Sequence, residues 1–236
     1  MFLLVYARIY GTAFVDALAA IGRNLWTLIL PMALLFAFIM LSMLVAPLGV
    51  VGDLLMSLAM TAGFSIYTYF LSQVVAKARV GLSDLRTSIG AYFWTWMNLF
   101  FVLWIIDILL GPMKVTAEGR TLLQALMMME LVILNAAPEV IYVKGSSGGI
   151  ETIQRSFAFL QESWIEWFVP NALILAGVFL VQSGRLPLNA LPLPIVTVPV
   201  LIGAVLHVAM VFRGFLFQML DGSTHRQRMF KYGRKT

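Results

Sequence analysis

The sequence predicts an all-α polytopic membrane protein: six transmembrane helices in three helix–hairpin repeats, each hairpin preceded by a cytoplasmic amphipathic surface helix. Three observations lead there. Of the 236 residues, 61% are apolar and only 11% charged, with a mean hydropathy of +0.93. Soluble domains carry about 25% charged residues, so too few polar groups exist here to coat a water-exposed globule. Apolar stretches of about 20 residues, the length that crosses a hydrocarbon core, recur along the chain. Finally, Trp26, Trp94 and Trp164 stand 68 and 70 residues apart, and each opens a long apolar run.

The elements follow in order. Met1 to Tyr6 carries no basic n-region, and Arg8 and Asp16 interrupt what would be the apolar centre of a signal peptide. A helix crossing the bilayer here would bury both charges. Laid on the surface, it places Arg8, Thr12, Asp16 and Arg23 on one face, with Leu4, Ile9, Phe14, Leu18 and Ile21 on others. Spans are expected at about 26–46, 54–76, 92–110, 122–143, 164–181 and 194–220. Pro187, Pro192 and Pro194 mark the start of the last, and Pro199 is expected to kink it. Before the third span Leu82, Leu85, Ile89 and Tyr92 form an apolar stripe. Before the fifth, Ile150, Ile153, Phe157, Leu160 and Trp164 step by three and four, with Glu151, Gln154, Arg155, Gln161 and Glu162 at the wet positions. The repeat units are residues 1–79, 80–147 and 148–225 of a single membrane domain, followed by a basic tail over 226–236. The three tryptophans are expected as interface anchors.

Charge placement predicts orientation. Thirteen of the sixteen lysines and arginines fall on one side of this layout, and only Lys114, Arg120 and Arg185 on the other. The positive-inside rule then puts both termini in the cytoplasm. Arg226, Arg228, Lys231, Arg234 and Lys235 of the tail are expected to contact lipid headgroups; the net charge of +5 is read as membrane anchoring, not nucleic-acid binding. The absence of cysteine removes disulfides and thiolate chemistry.

One stretch carries a resemblance. Ala137-Pro-Glu-Val-Ile-Tyr-Val-Lys-Gly145, then Gly149-Ile-Glu-Thr-Ile-Gln-Arg-Ser156 and the run to Trp164, resembles the membrane domain of some glycerophosphodiester phosphodiesterases and of YciC-like bacterial inner-membrane proteins. The resemblance implies a six-helix protein of the bacterial inner membrane. It carries over no catalytic residue, because the chemistry of that family belongs to a separate soluble barrel for which this chain has no room.

Ionisable groups within spans are costly and draw attention for that reason. Asp107 reads as a boundary residue. Glu130, mid-span in Met127-Met-Met-Glu130, needs a hydrogen-bond partner away from lipid and is expected to bond a neighbouring helix. Glu139 and Arg213, near the ends of spans four and six, are expected to pair. His207 is expected to pack or hydrogen-bond; no second histidine lies in a span to complete a bis-histidine haem. Phosphate-loop, zinc-hydrolase and nucleophile-elbow motifs are missing, and Gly145-Ser-Ser-Gly-Gly149 reads as a turn. The expectation is a non-enzymatic membrane module, without cofactor or metal, serving as an accessory subunit or membrane-organising scaffold. Its partners would be lipids and other membrane subunits or itself. The alternative is a carrier or channel for a lipid or small amphiphile that uses Glu130, Glu139, His207 and Arg213.

Overall fold

The computed structural model describes residues 2–76, 78–183 and 197–233, and its regular structure over these residues is helical throughout. The helices are α1 (Phe2–Gly22), α2 (Leu30–Val45), α3 (Val50–Val75), α4 (Leu85–Ala91), α5 (Phe93–Leu110), α6 (Ala117–Leu134), a single turn α7 (Ala137–Glu139), α8 (Gly149–Gln182), α9 (Thr197–Leu220) and α10 (His225–Gly233). A 3-10 turn, Leu25–Ile29, leads into α2, and a wide π-turn, Val140–Gly145, follows α7. Lys77, Arg185, Pro187, Pro192, Pro194, Arg234 and Lys235 lie outside the described residues.

Six of the described stretches are long and apolar enough to cross a membrane: Leu4–Gly22, Leu25–Leu48, Val50–Val75, Leu85–Lys114, Ala117–Gly145 and Thr197–Leu220. The number equals the expected one, but the membership differs. The first of them is α1, expected at the surface, whereas residues 164–181, expected as a span, are not among the six. They continue α8, which bends at Ser163, whose φ of −134° and ψ of 18° leave the helical region. Length and apolarity alone do not separate a helix that crosses from one that lies flat. In α1 the inward positions Val5, Ile9, Ala13, Ala17 and Ala20 are buried, while Leu4, Phe14 and Leu18 are exposed. Apolar residues therefore serve both faces.

The core gathers around the second half of α9. Val211, Phe215, Leu216, Phe217 and Leu220 meet the alanine face of α1, Phe70, Leu71 and Val74 of α3, and Phe159 and Trp167 of α8. The alanines let α1 and α9 approach closely, which is how small residues drive helix packing in lipid. Lys144 bonds Asp221 at 2.6 Å, and Val75 and Tyr142 flank Gly214, so the ends of α3, the π-turn and α9 share one end of the bundle. Arg8, in the second turn of α1, and Asn24, just past its last residue, are tied to segments at that same basic end. The Asn24 amide donates to the Ala78 carbonyl at 2.9 Å, and Arg8 donates to the Tyr232 carbonyl at 2.9 Å. At the opposite end, where Lys114 pairs with Asp107 at 2.9 Å, the helices are thinly covered. There α2 buries only Leu30 and Val45, and α6 only Leu123.

Pro199 is the third described residue of α9, and the turn that a kink there would disturb lies outside the described residues. One local expectation changes. In α8 the protein-facing side is small and polar: Thr152, Ser156 and Ser163 are buried beside Phe159 and Leu160. Ile150, Phe157 and Trp164, seven residues apart, point outward. Of the expected apolar stripe, then, Leu160 belongs to the core.

The first residue of α8 explains one glycine of the turn. A Cβ on Gly149 would lie 2.5 Å from the Asn98 carbonyl oxygen of α5, so backbone meets backbone only because no side chain intervenes. Gly145, with φ of 73°, needs the left-handed conformation open to glycine. Gly149→Ala is expected to lower the melting temperature in detergent by several degrees, an overpacking cost of about 1–3 kcal/mol. Gly148→Ala, whose Cβ would meet open space, is the control and should leave it nearly unchanged.

Candidate functional site: two arginine clamps and a buried histidine

The polar interior begins with a helix break. Pro138 has no N–H to offer the turn before it, and α6 stops at Leu134. The Asn135 carbonyl just beyond is taken by Nη2 of Arg213 from α9. The same guanidinium binds Glu139 through two parallel bonds, Nε to Oε1 and Nη2 to Oε2, both 3.0 Å. It also lies over the Trp167 ring at 5.0 Å, and the Trp167 indole N–H donates to Asn135 Oδ1 at 2.8 Å. Glu139 is 0% exposed. A bidentate pair with further donors and a ring face fits the planar guanidinium and would not fit lysine.

The arrangement recurs once. At the Ser163 bend, Arg228 of α10 donates from Nη2 to the Glu162 carbonyl and to Glu166 Oε1, both at 3.1 Å. Its Nη1 reaches the Leu220 carbonyl at 3.0 Å and the Ser223 carbonyl. His225 Nδ1 also meets Glu166 Oε1, at 2.9 Å. In each clamp one arginine holds a carbonyl at a helix irregularity together with the carboxylate four residues later: Asn135 with Glu139, and Glu162 with Glu166. Arg228 is 2% exposed. That corrects the expectation that it contacts headgroups, since its charge is spent inside. Arg226 and Lys231 remain exposed, with Lys231 5.4 Å from the Tyr232 ring centre. Sequence reasoning missed Glu166; its signal was a carboxylate amid Trp164, Ile165, Trp167 and Phe168.

His207 belongs to a separate group. Its Nε2 lies 3.0 Å from Thr27 Oγ1, and its Nδ1 3.3 Å from the Tyr67 hydroxyl. Thr27 spends its single proton on the Asn24 carbonyl at 2.7 Å. The threonine oxygen must therefore accept, which places the imidazole proton on Nε2 and leaves Nδ1 to accept from Tyr67. The result is a one-way chain, Tyr67 to His207 to Thr27 to Asn24, that joins α3, α9 and the turn before α2. Both ring nitrogens are engaged. Among the described residues no group of three histidine, cysteine or acidic side chains is placed to hold a metal.

The four intramembrane candidates thus divide. Glu139 and Arg213 are joined, His207 is bonded elsewhere, and Glu130 stands apart. Glu130 is half-buried on α6 and makes no hydrogen bond among the described residues, so the expected bond to a neighbouring helix is not formed. α6 leans on α8 without bringing a hydrogen-bonding group to that carboxyl. Among the tryptophans, Trp94 and Trp164 are 71% and 60% exposed. Trp26 turns inward instead: it packs edge-on against Phe70 at 5.2 Å and donates to the Val80 carbonyl at 3.0 Å.

At the start of α8, Glu151 reaches back to Ser147, accepting its N–H at 2.9 Å and its hydroxyl at 2.8 Å, and pairs with Arg155 at 2.6 Å. The Ser147 N–H bond, first among these contacts, holds the carboxyl below the usual range.

Glu139→Gln and Arg213→Gln are each expected to lower stability by about 3–5 kcal/mol, because each strands a buried charge. The double variant should lose clearly less than the sum of the two, read by thermal melts in detergent. Because the Glu151 pKa is depressed, its contribution is present above the ordinary carboxylate value and fades as pH falls through the lowered one. The Ser147 amide resonance should therefore titrate below the ordinary carboxylate range, and Glu151→Gln should abolish that titration.

Compared with known proteins, the chain matches no family model, no curated protein and no solved structure.

Proposed function

We propose that the chain is a non-enzymatic module of a bacterial cytoplasmic membrane, an accessory subunit or scaffold that organises the membrane and proteins around it, with both termini cytoplasmic. The observation that carries this reading is how the interior polar groups are used. Glu139, Arg213 and His207 are each saturated by local partners in a packed core. A carrier would need them facing a path, yet the cleft between α1, α8 and α9 and the one between α2 and α3 are both apolar. Groups used in this way fix helix positions.

The collar at the basic end supports the same reading. Arg8 and Asn24 tie α1 to that end, and the helix packs against α9. The Ile150, Phe157 and Trp164 stripe and the exposed Leu85 and Ile89 of α4 offer apolar edges at the same level. Such elements suit a headgroup layer. Residues 164–181 would then cross as the fifth span, giving three hairpins that each follow a surface element, as the tryptophan spacing suggests.

Mild-detergent capture of the intact chain from native membranes should return one or a few membrane-protein partners in fixed ratio. In liposomes the purified chain should not move lipid between leaflets. Lipid transfer that disappears in His207→Leu while the fold is kept would replace this reading with the carrier.

A further inference from the structure

Between α1, the second half of α8 and α9 runs a cleft of about 560 Å³, lined by carbon almost throughout, with Tyr10, Gly11, Phe14, Leu173, Ala209 and Phe212 among its walls. Water has nothing to hold it there, since an ordered water needs two to four polar partners. The smallest wall is the telling one. Gly11 is mid-helix in α1, where glycine costs about 1 kcal/mol relative to alanine. A Cβ at Gly11 would meet nothing within 4 Å. No neighbour in the chain requires that glycine, and its one evident effect is to deepen the cleft.

The inner end of the cleft is marked by charge. Tyr10 donates its hydroxyl to the Glu166 carbonyl at 3.1 Å, and the Glu166 carboxylate is met by Arg228 and His225. Arg8, one turn before Gly11 on α1, spends one nitrogen on Tyr232 and keeps further donors. α10 packs against α1 at this place, with Tyr6 6.3 Å from His225, and brings the exposed Arg226 and Lys231. A long apolar slot that ends at unspent cations matches a molecule with an apolar chain and an anionic head.

We propose that this cleft binds one acyl chain of an anionic phospholipid, with the phosphate held at the rim formed by Arg8 and the exposed basic residues of α10. The bound lipid completes the contact between α1, α8 and α9, and it does so whether or not the chain serves as a scaffold.

Native mass spectrometry of the purified full chain, titrated with phosphatidylglycerol or phosphatidylcholine of the same acyl chains, tests the proposal. The expected result is a one-to-one complex with about tenfold preference for phosphatidylglycerol, a difference of 1.4 kcal/mol. Gly11→Leu should abolish the complex while the lipid-free melting temperature holds or rises. Gly11→Ala should weaken it partway, so the series stays informative even if leucine disturbs folding. Arg8→Gln should remove the headgroup preference and leave chain binding. Equal binding of the two lipids, or a complex unchanged by Gly11→Leu and Gly11→Ala in folded protein, would overturn the proposal. So would a protein partner displaced from the native assembly by Gly11→Ala while lipid binding persists.

Discussion

The structure depends on carbonyl groups that helix irregularities turn away from their usual donors. In lipid such a group cannot turn to water, and leaving it bare costs several kcal/mol. The chain solves this twice with an arginine that arrives from the C-terminal part of the sequence and is itself neutralised by a carboxylate four residues past the carbonyl. The irregularities are useful because they aim Trp167, Asn135 and the π-turn toward α9. The arginines make them tolerable. Each clamp ties elements that are far apart in sequence, so position is set by geometry more than by apolar packing, which discriminates weakly between helices when the surrounding lipid is equally apolar.

Uneven packing follows from where the clamps sit. Both lie in the half of the bundle that holds Phe70, Trp167, Val211 and Phe217, and the helices diverge beyond them. α5 and α6 make few contacts with each other outside their connecting turn, and each leans on α8 instead. Outward side chains such as Phe36, Trp104 and Leu131 are exposed along those arms. The molecule resembles a tied sheaf, firm at the basic end and open at the other.

Much of this was legible in the sequence. Composition and run length require a membrane helix bundle, and the positions of Glu139 and Arg213 near the ends of two spans suggested their pairing, because neither charge is tolerable alone. Other features were hidden for physical reasons. The wet positions Gln154, Gln161 and Glu162 are exposed as periodicity implies, but periodicity does not show that α8 turns Thr152, Ser156 and Ser163 into the protein. Arg228 sits in a basic tail with no local sign that one of its charges turns inward. Glu130 looked as if it must have a partner, since the rule that buried carboxyls are bonded holds only where a neighbour is packed close. Trp26 shares the spacing of Trp94 and Trp164, but spacing does not reveal that Phe70 and Val80 await it.

The position of α9 in the chain has a consequence for synthesis. It follows the other long helices in the described part of the chain, yet α1, α2, α3 and α8 all pack against it, and it carries the arginine that satisfies Asn135 and Glu139. Until it enters the membrane, the earlier helices have no common surface to close upon, and a carboxylate and a carbonyl wait uncovered. Closure of the main core therefore waits for α9, although α2 on α3, and α5 and α6 on α8, have surfaces to pack upon before it arrives.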